Sequence, residues 1–405
     1  MATAQPSHFE ALSRAAERTY RPIGAMIEIT HRCHLACVHC YLEDNHAWHD
    51  KGRELTTAEV LGIIDQLRAA GCMFLTITGG EVFLRPDLFE ILRHARGRGL
   101  AVVLFTTGTL LTPAHVDELA RLHLRRVELS LYSADPLVHD AITQRTGSHA
   151  KTMHALHALL ERRIPVVIKC PLMRTNFDSY DGLKGLSEQL GITLRIDSSV
   201  TPMNDGDLRP TRERLTQAQL VAFYSKPELR PFGEVQQRLP RANDSICGIG
   251  KRGCVIGPFG DVHTCMGYKP SIGNLRERSF EEIWRDTGVL YKLRRASAAN
   301  VDVCSSCEKF SYCHRCAGTA AAEDGAFNGP SSWSCHLAAA KEKAAGLPVT
   351  PSAAERLGLV KVSEGPKGYA LQVLREKPAA GGGGCASGCG GKSPKERAHG
   401  GIHRD

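Results

Sequence analysis

Cys33, Cys37 and Cys40 form a Cys-x3-Cys-x2-Cys run directly after the short apolar stretch Ile27-Glu28-Ile29-Thr30. Thiolates at this spacing, at the exit of a first strand and followed by Tyr41, suit an iron–sulfur cluster. A standard cubane takes four thiolates, and the next cysteine after Cys40 is Cys72. A cluster held here keeps one iron without a protein ligand, and an open metal position is where chemistry takes place. The alternative is a zinc site that also draws on His34 and His39, although zinc sites usually pair two half-sites across a longer gap.

A second set of cysteines runs Cys247-x6-Cys254-x10-Cys265, then Cys304-x2-Cys307-x5-Cys313-x2-Cys316, then Cys335. The gap between the two Cys-x2-Cys pairs is far short of a zinc ribbon. These eight thiolates are enough for two fully ligated cubanes. Cys72 and Cys170 read as core residues, whereas Cys385 and Cys389 sit in a glycine-rich tail.

The elements that position these groups follow from periodicity. Short β-type runs at Ala25–Thr30, Phe74–Thr78, Ala101–Thr106, Arg126–Leu131, Val166–Cys170 and Thr193–Ile196 alternate with helical patterns. Val60, Ile63, Ile64 and Leu67 share one helix face, opened by a capping box at Thr56 and Glu59. Leu88, Ile91, Leu92 and Ala95 make the next, and Thr112-Pro113 opens a third. Such alternation implies right-handed crossovers and a parallel sheet, either an open doubly wound one or an incomplete barrel. Gly79-Gly80-Glu81 follows the second strand at once, where glycines let backbone approach a ligand closely. A hairpin is expected around Gly365-Pro366-Lys367-Gly368.

With 405 residues the chain can bury a large core and hold two domains plus a tail. Its 42% hydrophobic and 23% charged content is ordinary for a soluble protein. No apolar signal region lies in Met1 to Ala25 and no run reaches membrane-spanning length, so a cytoplasmic location without membrane contact is expected. Fifteen cysteines in such a chain point to metal ligation rather than disulfides. The formal charge of +8 is no argument for nucleic-acid binding. Clusters with three or four thiolates carry about −1 or −2, so three of them would remove about five positive units.

Together the triad, Gly79-Gly80-Glu81 and the later cysteines resemble the radical SAM superfamily over residues 22–340. The resemblance implies an α/β fold, a partial (β/α)6 TIM-like barrel followed by a small cysteine-rich SPASM domain with iron–sulfur clusters. In that family S-adenosylmethionine (SAM) chelates the open iron, and one electron from the cluster yields a 5′-deoxyadenosyl radical that abstracts hydrogen. Cys33, Cys37 and Cys40 would then be both metal ligands and catalytic residues. The GGE motif corresponds to Gly79, Gly80 and Glu81 and would bind the methionyl amino group, with Val82 where proline is usual. His39 takes the position near adenine. Thr107 replaces the asparagine of a T-N-G-T turn, and Ser130 lies in the fourth-strand segment that reaches the SAM ribose or carboxylate. Lys169, on the fifth strand, is a weaker candidate.

The run Cys247-x12-Gly260-x4-Cys265 resembles the SPASM pattern. Family pattern groups Cys247, Cys254, Cys265 and Cys316 around one auxiliary [4Fe-4S] cluster, and Cys304, Cys307, Cys313 and Cys335 around a second. Full ligation would suit electron transfer. Only His314 and Arg315 precede Cys316, where the family more often has three residues. The division expected is an N-terminal arm at 1–21, a radical SAM core at 22–200, a linker at 201–246, a SPASM domain at 247–340 and an extension with a flexible tail at 341–405.

SPASM relatives act on peptides, sulfatases or tetrapyrroles. Met266 stands where sulfatase maturases carry a catalytic aspartate, which counts against formylglycine formation, although His263 or Tyr268 could supply a base. The resemblance thus implies an enzyme that modifies a peptide or protein, maturing a ribosomally made peptide through a thioether or carbon–carbon cross-link. The alternatives are a haem-precursor enzyme, a sulfatase maturase and a non-catalytic electron carrier. A flavodoxin or ferredoxin would supply electrons. The short arm before the first strand leaves leader recognition to a separate protein or to direct binding.

Overall fold

Alternation of apolar and polar residues along six short strands builds the expected parallel sheet. A computed structural model describes residues 7–42, 53–229, 247–285, 288–297, 301–346 and 351–359. The strands are β1 (Gly24–Glu28), β2 (Phe74–Thr78), β3 (Ala101–Thr106), β4 (Arg126–Ser130), β5 (Val166–Pro171), β6 (Thr193–Asp197), β7 (Gly253–Ile256), β8 (Asp261–His263) and β9 (Gly273–Asn274). Before and between β1 and β6 run α1 (His8–Thr19), α2 (Thr57–Ala69), α3 (Leu88–Gly97), α4 (Pro113–Leu122), α5 (Pro136–Thr143), α6 (Ser148–Glu161) and α7 (Tyr180–Leu190). Beyond β6 come α8 (Gln217–Tyr224), α9 (Phe280–Arg285), α10 (Gly288–Arg294), α11 (Asp302–Ser305), α12 (Ala317–Glu323), α13 (Ser332–Ala344) and α14 (Ala353–Arg356).

The strand order is β6-β5-β4-β3-β2-β1-β7-β8-β9. Successive side chains along a strand face opposite sides of the sheet. On the helix side Ile27, Leu75, Ile77, Val102, Leu104, Val127, Leu129 and Ile168 form one core with Val60, Ile64 and Leu67 of α2 and Ile91 and Leu92 of α3. The other side carries the charge. Glu128 takes ion pairs from Arg126 at 2.6 Å and Arg195 at 3.0 Å, and Lys169 Nζ lies 4.0 Å from the centre of the Phe105 ring. The caps read from the sequence are present: Thr56 with Glu59 opens α2, and Thr112 with Pro113 opens α4.

Three structural features fall within the expected divisions. The arm at 1–21 contains α1, whose capping box pairs Ser7 with Glu10. The stretch 201–246, expected to be a linker, contains α8. Thr216 and Gln219 cap it, and Leu220 and Phe223 pack with Trp333 and Ala340. At the start of the cysteine-rich part β7 pairs parallel with β1, Gly24 to Gly253 through Ile27 to Ile256, extending the same sheet. The hairpin expected around Gly365-Pro366-Lys367-Gly368 and the tail with Cys385 and Cys389 lie outside the described residues.

Candidate active site and thiol groups

At the carboxyl end of β1 the chain stays hydrogen-bonded to the turn after β2. Ile29 N donates to Thr78 O at 2.9 Å, Gly80 N to Thr30 O at 2.8 Å and Glu81 N to Arg32 O at 2.9 Å. A Cβ on Gly79 would lie 2.2 Å from Thr30 O, and one on Gly80 2.3 Å from Arg32 O. The close approach that these glycines permit is therefore to the chain's own backbone, which leads straight into the triad. Gly80→Ala should cost roughly 1–3 kcal/mol by overpacking, because backbone cannot swing aside as a side chain can. A lowered denaturation midpoint together with reduced iron uptake would be the observable.

Glu81 is fully buried and anchors the turn after β3. Its carboxylate accepts from Thr106 Oγ1 at 2.7 Å, Thr107 N at 2.9 Å and the Thr107 hydroxyl. Thr107 Oγ1 lies 2.8 Å from Thr109 Oγ1, which lies 2.7 Å from His34 Nε2. A continuous polar network thus ties the motif after β2 to the cysteine loop. His34 and Thr109 were not singled out as cofactor-site residues; the signal available was Thr109 completing the Thr-Thr-Gly-Thr turn.

The loop itself rests on α5, where Ala36 N donates to Thr143 O at 3.1 Å and Val38 N to Ile142 O at 3.0 Å. Burial is the main cause of raised pKa values in the triad; Cys40 adds to it at Cys33, and Cys40 and Cys33 add to it at Cys37. Burial pushes the Cys33 thiol up to about 12, and Cys37 and Cys40 up as well. Cys33 Sγ accepts from Leu35 N at 3.4 Å, and the Tyr132 hydroxyl stands 4.0 Å from Cys37 Sγ. Buried thiols clustered this way become thiolates readily only when metal replaces their protons, so the donor set fits a metal cluster. Among the described residues no three His, Cys, Asp or Glu side chains close around a single ion.

His39 packs edge-on to Tyr132 with ring centres 4.9 Å apart, and its buried Nδ1 has no hydrogen-bond partner. Burial, with Lys169 adding to it, lowers its pKa to about 4. Ser130 sits on the charged side of β4, near the Tyr132 phenol and paired in register with Lys169.

Beside the triad lies a cavity of about 330 Å³ whose walls include Glu28, His31, His263, Cys265, Met266 and Lys269. Burial disfavours the Glu28 carboxylate, yet hydrogen bonds and charge from His31, the Tyr41 hydroxyl and Lys269 outweigh it and hold its pKa below the ordinary value. Tyr41 donates to Glu28, His31 Nε2 is 3.3 Å from it, and Lys269 Nζ lies 5.0 Å from the centre of the Tyr41 ring. Sequence reading passed over this group, although a glutamate between Ile27 and Ile29 was a visible signal. A larger cavity, about 790 Å³, sits at the opposite strand ends between Tyr20 and Trp284 and has no cysteine in its wall.

The later cysteines form two groups. Cys304, Cys307, Cys313 and Cys335 line a cavity of about 230 Å³ with Phe310, Arg315 and Ala338 among its other walls, a donor set and space that fit a cluster. Cys247, Cys265 and Cys316 make the other group: the first and last both raise the Cys265 pKa, after burial. A Cβ on Gly318 would fall 2.2 Å from Gly267 O, so the start of α12 packs tightly on the turn after Cys265.

Cys254, expected in that second group, is not brought to it. It lies on β7 opposite Ala25, 4% exposed in the main core, and the thiol that bears on it is Cys72. Its spacing fits a ligand, but strand alternation turns its side chain to the helix side of the sheet. Cys254→Ala should leave the iron content unchanged at a cost of about 1 kcal/mol, a small core deletion. Cys265→Ala should lose auxiliary iron, and matched iron assays would separate the two.

Comparison with known proteins agrees with this geometry. Residues 27–183 match the model of the radical SAM superfamily, and 247–308 match the SPASM iron-sulfur cluster-binding domain. The AdoMet-dependent heme synthase of Methanosarcina barkeri is 29% identical over 324 residues, 74% of this chain and 92% of that protein. The PqqA peptide cyclase of Ruegeria pomeroyi is 30% identical over 328 residues, 76% of this chain and 86% of that one. Streptococcus suis SuiB bound to S-adenosylmethionine shares the fold, with TM-score 0.57 at 15% identity over 83% of this chain and 82% of SuiB. The chain belongs to the radical SAM superfamily and carries its SPASM iron–sulfur module. Its cofactors are iron–sulfur clusters and SAM. No described helix is long and apolar enough to cross a membrane.

Proposed function

We propose that this chain is a peptide maturase that uses SAM to start radical chemistry on a residue of a ribosomally made peptide. The observation that carries the reading is the gathering of Cys33, Cys37 and Cys40 at the carboxyl ends of the strands, beside a cavity that reaches Cys265 of the auxiliary group. The likeness to a peptide cyclase over most of both chains supports the substrate class. Residues 22–200 form the catalytic core, 201–246 the connection, and 247–340 the auxiliary-cluster domain; 1–21 and 341–405 flank them.

In this reading Cys33, Cys37 and Cys40 hold the SAM-binding cluster. Cys247, Cys265 and Cys316 hold one auxiliary cluster, and Cys304, Cys307, Cys313 and Cys335 the other. A reduced cluster with SAM bound supplies one electron and a carbon-centred radical that takes a hydrogen atom from substrate. The chain's own residues do the rest. His39, Gly79, Gly80 and Ser130 would hold SAM: His39 on its adenine side, the two glycines at the methionyl amino group, and Ser130 at the sugar or carboxylate. Glu81 and Thr107, bound to each other, shape that wall from within. Glu28, held by the Tyr41 hydroxyl, and Lys269 line the substrate side and orient a polar group there. A low-potential flavodoxin or ferredoxin delivers the electrons in the cytoplasm, and leader recognition falls to a separate protein or to direct contact.

A haem-precursor substrate is the second reading, favoured by the heme synthase likeness, which spans nearly all of that protein. Anaerobic reconstitution with dithionite and SAM, using perdeuterated peptide or perdeuterated haem precursor, separates them. Deuterium in 5′-deoxyadenosine from the peptide alone supports maturation, and from the haem precursor alone the second reading. No deoxyadenosine with any substrate would sink both.

A further inference from the structure

Between the two auxiliary thiol groups stands one cation. Arg315 follows Cys313 by two positions and immediately precedes Cys316. Its side chain forms part of the wall of the cavity shared by Cys304, Cys307, Cys313 and Cys335, while Cys316 belongs with Cys247 and Cys265. Arg315 Nε donates to Gly329 O at 2.7 Å and Nη2 donates to Phe327 O, which fixes the guanidinium plane. Nη1 is buried with no hydrogen-bond partner. A buried donor left unmade is costly, and its presence calls for an acceptor that would complete the site.

Arg315 lies within electrostatic range of Cys304 and Cys313 of one group and of Cys247 and Cys316 of the other, two from each. A guanidinium stays charged even where burial works against it. Lys341 offers the contrast. Among the thiols it bears on Cys313, and its Nζ lies 5.1 Å from the centre of the Tyr224 ring, so it addresses a single group.

We propose that Arg315 is a positioning residue that serves as a shared counter-charge for the two auxiliary clusters, raising the reduction potential of both. The inference rests on the assignment of the two thiol groups as cluster sites. Adding an electron makes a thiolate-ligated cluster more negative, and a fixed cation next to it favours the reduced form. Hydrogen bonds to cluster sulfurs act in the same direction, and Nη1 is available to make one.

The test is an EPR-monitored potentiometric titration of the full chain, reconstituted anaerobically, alongside iron counting. Arg315→Gln should move both auxiliary midpoints to lower potential and leave the triad cluster where it was. Arg315→Lys should restore both in large part, and Lys341→Gln should shift only the cluster of Cys304, Cys307, Cys313 and Cys335. Unmoved midpoints in Arg315→Gln, or movement of one auxiliary cluster alone, overturn the proposal. If Arg315→Gln loses iron, the lysine variant decides: recovery of iron and of both potentials supports a charge role, and failure of both overturns it. Wild-type protein with triad iron but no auxiliary iron would refute the cluster assignment and the proposal with it.

Discussion

Cys37→Ala should abolish SAM cleavage outright while the auxiliary clusters remain. The triad has no spare cysteine: Cys33 and Cys40 flank Cys37, and the next cysteine, Cys72, lies buried in the core. Cys37 is half-buried, packed against the cluster of Tyr132 and Ile142, and a cubane with one thiolate fewer has only two protein ligands left here. Loss of one thiolate therefore removes the electron source itself, and the effect is all-or-none. Iron should fall by about four per chain, the content of one cubane. Deoxyadenosine formed at the wild-type rate by this variant would remove the triad from the mechanism.

The second large effect is structural. Arg214 and Glu323 form a bidentate ion pair with side chains 1% and 0% exposed. The guanidinium also donates to Val200 O at 2.8 Å and stacks 4.4 Å from the centre of the Trp333 ring. Glu323→Ala leaves a buried, uncompensated cation and should cost about 3–5 kcal/mol in stability. Arg214→Leu combined with Glu323→Leu removes both charges and should recover much of that loss. Denaturant midpoints of the two variants give the comparison; equal loss in both would show that packing around Trp333, rather than charge, carries the site.

Much of the barrel was legible because its strands obey simple alternation. Phe74–Thr78 and Ala101–Thr106 fall where periodicity put them, and the faces of α2 and α3 bury the residues expected. What escaped had tertiary causes. β7 is four residues long and begins at a glycine; only its pairing with β1 makes it a strand. α8 is short, and its apolar residues gain a partner from α13, more than a hundred positions later. Cys254 shows the limit of spacing as a guide, since spacing does not say which side of a sheet a thiol faces. Glu28 and Tyr41 meet only because β1 and the cysteine loop fold back on one another.

The ladder between β1 and β7 also bears on the distance between the triad and the Cys247 and Cys265 group. It couples the strand that runs into the triad loop to the strand that lies between Cys247 and Cys265, residue against residue. Neighbouring strands stand about 4.7–4.9 Å apart, a spacing that hydrogen bonds hold nearly constant. Transfer of an electron between centres slows steeply as their separation grows, and a module on a hinge could use that dependence as a gate. Two centres mounted on one rigid ladder give up that gate. On the proposed function, transfer between the two centres would then run over a distance that hinge motion does not change.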